Sequence, residues 1–178
     1  MTLPGTMLDF IATRDHRLMR RLHRWRPPRW FRLWMICATR GGDGWLWYGL
    51  GVLVLAFGGQ TRFAAVTAAG TACGSGAILF LILKKLTGRK RPNALEPHCW
   101  ATLLPPDQFS FPSGHTISAF AFAISVGGFY PLLLGALLFC AFSVATSRIV
   151  LGMHFLSDVV VGALVGAGLG YASFLILA

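Results

Sequence analysis

Long stretches without a charged residue alternate along this chain with short, strongly polar ones. Phe63–Leu83, Thr116–Thr146 and Phe155–Ala178 are the apolar runs, the last broken only by Asp158. Runs of about 18 or more such residues read as membrane-spanning helices. Thr116–Thr146 is long enough for two short spans, with a turn near Gly127, Gly128 and Pro131. Gly44–Gln60 is shorter, but Trp45, Trp47 and Tyr48 at its start have the character of an interfacial belt. The pattern predicts an all-α integral membrane helical bundle of five spans, or six if Arg29–Ala38 also crosses. That segment is short, and it carries Trp30, Phe31 and Trp34 beside two arginines, so it reads as interfacial.

Ahead of it, Met7, Leu8, Ile11, Leu18, Leu22 and Trp25 recur at roughly helical spacing among arginines. This predicts an amphipathic helix over residues 6–26 lying on the membrane surface, ended by Pro27 and Pro28. The chain thus divides into an Arg-rich amphipathic segment, residues 1–43, and a membrane-embedded domain, residues 44–178. Asp43 reads as the N-cap of the first span. In the last span Gly162, Gly166 and Gly170 recur every four residues, a spacing that lets helices approach closely. Gly70 and Gly74 in the second span invite the same reading.

Composition sharpens the picture. Of 178 residues, 55% are hydrophobic and 12% charged, with a formal net charge of +10. Such a charge could suggest nucleic acid, but nine arginines lie in residues 1–40 and five more basic residues in Lys84–Arg91. Basic residues flanking spans set topology or meet lipid headgroups, so the expected partners are the bilayer and its lipids, with no nucleic acid. Cys37, Cys73, Cys99 and Cys140 show no CxxC spacing, so neither a disulfide framework nor a zinc site is expected; His98 next to Cys99 is a weak metal signal. The Arg-rich N-terminus does not read as a signal peptide.

The alternation of spans puts the loop after the second and the link after the fourth on one face. Three polar clusters converge there: Lys84–Pro92 (KKLTGRKRP), Pro112–His115 (PSGH) and Ser147–Asp158 (SRIVLGMHFLSD). Asp158 lies inside an apolar helix, where an ionisable group implies a function and a partner. The partner is His154, four residues earlier; on one helix face the carboxylate would orient the imidazole and leave its other nitrogen free to attack. Lys84, Arg91 and Arg148 would surround an anion with positive charge, and Arg suits phosphate oxygens. Ser113 and Gly114, where a loop becomes a helix, would form an anion cradle, with Ser113 also an ordinary N-cap. His115 beside them could protonate a departing oxygen. A carboxylate cluster for two metals is missing, since only Glu96, Asp107 and Asp158 are near; neither metal nor cofactor is expected.

Lys84-x6-Arg91-Pro92, Pro112-Ser113-Gly114-His115 and Ser147-Arg148-x5-His154-x3-Asp158 together resemble the three-part signature of the type 2 phosphatidic acid phosphatase family, which shares its site with vanadium haloperoxidases. The parts match in order, spacing and residue type, and the resemblance covers residues from about 44 to 178. It implies a metal-independent lipid phosphatase in a helical bundle. By carry-over, His154 would form a phosphohistidine, Asp158 would orient it and His115 would protonate the leaving group. Lys84, Arg91, Ser113, Gly114 and Arg148 would bind the phosphate. The expected substrate is a phosphomonoester or diphosphate on a membrane lipid: phosphatidic acid, phosphatidylglycerophosphate, a polyprenyl diphosphate or a lipid A phosphate. Transfer to a lipid acceptor and non-catalytic lipid-phosphate binding or transport are the alternatives. The loop Asn93–Ser110, with Glu96, His98, Trp100 and Asp107, would shape headgroup choice. Larger bacterial members of the family commonly have six spans. With five spans and an Arg-rich N-terminus, the active face would be the cytoplasmic face of a bacterial inner membrane.

Overall fold

The computed structural model describes residues 7–92 and 108–178. Glu96, His98, Cys99, Trp100 and Asp107 lie outside the described residues, as do the side chains of Met7 and Leu8. Helix α1 spans Met7–Arg24, α2 Arg29–Gly42, α3 Trp45–Phe57, α4 Arg62–Thr87, α5 Gly114–Phe129, α6 Pro131–Val150 and α7 Leu156–Leu177, with a 3-10 turn at Gly59–Thr61 before α4. The described residues are helical apart from connections and one isolated bridge, Lys90 to Phe109. Three helical segments, Gly59–Thr87, Pro131–Val150 and Leu156–Leu177, are long and apolar enough to cross a membrane; α3 and α5 are shorter apolar helices.

The expected break inside Thr116–Thr146 falls at Tyr130, and Pro131 opens α6 at a position where its missing N–H costs nothing. α4 runs one turn past Leu83, carries Lys84 and Lys85 there, and stops at Gly88 in the left-handed conformation, φ +57°. α5 is the axis of the bundle, packed against α4, α6 and α7. Its crossing with α7 depends on the glycine stripe: a Cβ on Gly162 would stand 2.9 Å from the Ser113 carbonyl, one on Gly170 2.5 Å from the Ala121 carbonyl, and one on Gly166 would strike the Ile117 carbonyl. The same reading fails for Gly70 and Gly74, around which a Cβ would meet nothing within 4 Å. The small residue of α4 that packs is Gly76, where a Cβ would lie 2.7 Å from Ile117 Cγ2.

One N-terminal feature differs from the sequence expectation. Asp43 does not cap α3. It closes α2, its N–H donating to the Arg40 carbonyl, while Gly44 at φ +125° takes the corner and is itself the N-cap of α3. Only glycine adopts that backbone easily, so the cap position moves one residue on and the Asp43 side chain is left to point elsewhere. α2 packs on α6, burying Met35 among Val150, Leu151 and Met153. α1 has three faces. Asp15 and Met19 are buried, Phe10 is exposed, and Arg17, Arg20, Arg21 and Arg24 line a shallow depression.

Candidate active site

The polar ends of α4, α5, α6 and α7 meet on one face. Gly88 turns the chain out of α4, so that Arg89 and Arg91 follow within three residues. Ser110 N–H donates to the Arg89 carbonyl at 2.7 Å and pins the two ends of the intervening loop together. On the other side, the link from α6 to α7 folds back on its own origin: Met153 N–H and His154 N–H both donate to the Arg148 carbonyl, each at 3.0 Å. Gly152, at φ +67°, makes that reversal possible.

His154 is 2% exposed. Its Nδ1 is bonded to the Ser110 carbonyl, which can only accept, so Nδ1 carries the proton. Its Nε2 lies 3.0 Å from Arg91 Nη1, which can only donate, so Nε2 holds a lone pair. Burial pushes the imidazole down to about 4, with Arg148 and Arg91 adding to the shift against an opposing pull from Asp158. The ring is therefore neutral at neutral pH.

Asp158 is close to His154 but not bonded to it. Its Oδ2 stands 3.8 Å from His154 Nδ1 and accepts from Phe155 N–H at 2.8 Å. The expected shared helix face does not form, because α7 begins at Leu156 with Phe155 as an extended N-cap, leaving His154 outside the helix. The other carboxylate oxygen takes Arg89 Nη1 at 2.7 Å. A fully buried carboxylate needs such partners.

A cavity of about 740 Å³ opens beside these groups, with Arg91, Gly114, His115, Arg148 and His154 at its polar end. Lys84, Ser113 and Asp158 are not on its wall. Lys84 is buried with Nζ 4.4 Å from the centre of the Phe80 ring, and Phe80 lines the cavity. Ser113 accepts from Thr116 Oγ1 at 2.9 Å and donates its N–H to the Asp158 carbonyl at 3.1 Å, so it backs the site from behind. Arg148 Nη1 donates to Thr39 Oγ1 of α2 at 2.7 Å. Away from the polar end the cavity runs between α3 and α4 past Trp47, Val52, Leu55, Val66 and Gly70. From Phe80 to Val66 along α4 is roughly 21 Å at the rise of a helix. Gly70, idle in packing, keeps that groove open.

Two further residues belong to the site, and neither stands out in the sequence. Asp43 Oδ1 accepts from His115 Nε2 at 2.7 Å and lines the cavity. Arg89 joins Asp158 to Asp15 of α1, donating to Asp15 Oδ2 at 2.7 Å. The signals available were faint: an aspartate in a glycine corner and one arginine among five basic residues. Among the described residues no three His, Cys, Asp or Glu side chains converge to hold a metal.

The PAP2 superfamily model matches residues 64–178. Decaprenylphosphoryl-5-phosphoribose phosphatase of Mycobacterium tuberculosis is 33% identical over 140 residues, 76% of this chain and 77% of that protein. Lipid A 1-phosphatase of Rhizobium johnstonii is 31% identical over 94 residues, 51% of this chain and 38% of that protein. The crystal structure of Aquifex aeolicus LpxE superposes with a TM-score of 0.73 at 27% identity, covering 97% of this chain and 98% of that one. The PAP2-type phosphatidylglycerolphosphate phosphatase of Bacillus subtilis has the same fold, with a TM-score of 0.69 at 23% identity, over 95% of this chain and 85% of that one.

Proposed function

The chain belongs to the PAP2 superfamily and is a phosphatase, and on that premise we propose that it hydrolyses a phosphomonoester or diphosphate on a membrane lipid through a phosphohistidine on His154. The observation that carries this reading is the lone pair of His154 Nε2 at the polar end of an apolar groove, with Arg91, Arg148 and His115 around it. The lipid tail would lie between α3 and α4 and the phosphate would enter among Arg91, Arg148, Lys84 and the first-turn N–H groups of α5. Ser113 and Gly114 shape that turn, and Gly114 lets it lie close to Phe80, since a Cβ there would stand 3.1 Å from the ring.

Arg91 would release Nε2 for the phosphate oxygens as the substrate binds. Nε2 then attacks phosphorus and the bond to the lipid oxygen breaks. That oxygen takes a proton from His115 in its imidazolium form: Nε2–H stays on Asp43, and the proton transferred is the one on Nδ1, which leaves His115 neutral. The products are phosphohistidine and the lipid alcohol, or the lipid monophosphate where the substrate is a diphosphate. Neutral His115 next takes a proton from water as the water attacks phosphorus, which releases inorganic phosphate and restores both histidines. Asp158, at 3.8 Å, would offset the positive charge that the phosphorylated ring acquires.

The same reading places five spans, α3 to α7, in the membrane, with α1 and α2 at the interface on the site's own face, the cytoplasmic one. Phosphate release by the purified protein in EDTA tests the chemistry, with phosphatidic acid, phosphatidylglycerophosphate, a polyprenyl diphosphate and lipid A as the panel. Wild type should release phosphate from at least one, and His154→Ala should lose about a thousandfold or more. Undiminished release by His154→Ala would remove the nucleophile.

A further inference from the structure

Beyond the residues that touch phosphate, we infer that Asp15, on the amphipathic helix α1, is a positioning residue for phosphoryl transfer, acting through Arg89 on Asp158 and the turn that carries His154. This rests on the assignment of His154 as nucleophile. Asp15 lies outside residues 64–178, the part of the chain that matches the family.

The contacts form one continuous chain, with both carboxylates buried and Arg89 half-buried between them. Arg89 Nη1 donates to Asp158 Oδ1 and to Ser157 Oγ, both at 2.7 Å, and Nη2 donates to Asp15 Oδ2 at 2.7 Å. Asp15 also accepts from Ser157 N–H at 3.2 Å and from the Ser157 hydroxyl. The guanidinium lies 4.4 Å from the centre of the Phe155 ring, and His16 of α1 meets that ring edge-on at 5.0 Å. Residues 155, 157 and 158 therefore all touch α1 or the arginine that α1 holds, and they belong to the turn that follows the nucleophile.

Two carboxylates, 5% and 0% exposed, share one guanidinium. Helix docking alone does not call for this, because burying a charged group is costly and an apolar contact would serve. The sharing sets how much of the Asp158 charge reaches His154. With Asp15 present, the positive charge of Arg89 is divided between two partners. Without Asp15 it falls wholly on Asp158, and less negative charge is left to balance the imidazole when Nε2 becomes phosphorylated. The guanidinium also loses the group that fixes one of its two nitrogens, so the position of Asp158 is held less well.

The test is the kinetics of phosphate release from phosphatidic acid, or from whichever lipid of the panel wild type prefers, using the full chain in detergent. Asp15→Asn should lower kcat about tenfold and leave KM within twofold. Arg89→Met leaves Asp158 its full charge but removes the group that holds its Oδ1 in place, so it should lose as much, and the double variant should lose no more than Arg89→Met alone. Asp15→Glu should recover part of the rate. Met19→Ala removes buried α1 packing without touching the ion chain, so it should lower Tm but keep kcat. Wild-type kcat in Asp15→Asn, multiplied losses in the double variant, or an equal kcat loss in Met19→Ala would each overturn the proposal. Activity in wild type that disappears in His154→Ala supports the functional reading independently, so the two can fail separately.

Discussion

His154 is held in one tautomer from both sides, by an acceptor at Nδ1 and a donor at Nε2. The same burial that keeps the ring neutral makes it a liability in acid. Its folded value is about 4 against the 6.5 of an unperturbed imidazole. Above pH 6.5 both states are neutral and pH has no effect through this residue. As pH falls below 6.5 the unfolded chain gains a proton that the folded one refuses, so stability drops until about pH 4, where the folded imidazole also protonates. The span corresponds to roughly 3 kcal/mol at 1.4 kcal/mol per unit. The Tm of His154→Gln should therefore fall less steeply than that of wild type between pH 6.5 and 4; parallel curves would remove this origin. Asp43 makes a second residue-scale case. If it holds His115 as the acid, Asp43→Asn should lower kcat about tenfold on phosphatidic acid but much less on p-nitrophenyl phosphate, whose leaving group needs no proton. Equal losses on both substrates would make Asp43 a merely structural partner. The ionisable residues at span ends could be read from the sequence because charges in an apolar chain are few. Their pairings could not: Asp43 is 72 positions from His115 and Asp15 is 74 from Arg89. The contact between Asp158 and His154 was half legible. Closeness followed from spacing, but the bond at Nδ1 went to Ser110, because the helix starts two residues after His154.

At the scale of elements, the apolar runs located α4 to α7 within a few residues, since bilayer thickness and a run's length constrain each other. Glycine was harder to read, because its spacing looks alike whether it lets a helix pack or leaves a gap. Gly162, Gly166 and Gly170 bring α7 against the backbone of α5, and Gly70 faces the groove. The two roles make opposite demands on a substituted side chain. Gly166→Val has no room beside the Ile117 carbonyl, so it should cost about 1–3 kcal/mol and lower the Tm in detergent, with activity falling alongside. Gly70→Trp meets no neighbour in the fold, so Tm should hold, while kcat/KM falls for long-chain lipid phosphates and stays near wild type for p-nitrophenyl phosphate. If the two substrates suffer equally, the groove does not hold the tail.

For the whole molecule, the ordering of helix ends ties the site to a side of the membrane. α3 starts and α4 ends at the site, α5 starts, α6 ends and α7 starts there, and α2 reaches it through Thr39 and Asp43. The lysines and arginines of residues 1–40, Lys84–Arg91 and Arg148 therefore belong to that face. Arg62, in the turn between α3 and α4, is the one of the 16 that lies at the opposite ends. On the proposed topology so uneven a distribution would put the basic face in the cytoplasm, because positively charged connections resist translocation. Asp43 and Asp158 do not offset this, since acidic residues contribute little to orientation. On that topology the exposed arginines of α1 would add about 1 kcal/mol each where they meet anionic headgroups. A variant retaining Cys99, with Cys37, Cys73 and Cys140 replaced by Ser, provides the measurement. Cys99 belongs to the connection between α4 and α5, so a membrane-impermeant maleimide should label it in inverted vesicles and not in intact cells. Labelling confined to intact cells would reverse the bundle and put the lipid phosphate site on the outer leaflet, against the charge distribution. A sixth crossing ahead of α3 would then be required to keep the arginines of α1 inside, and α2, which directly precedes α3, would have to make it despite Arg29, Arg32 and Arg40 in 14 residues.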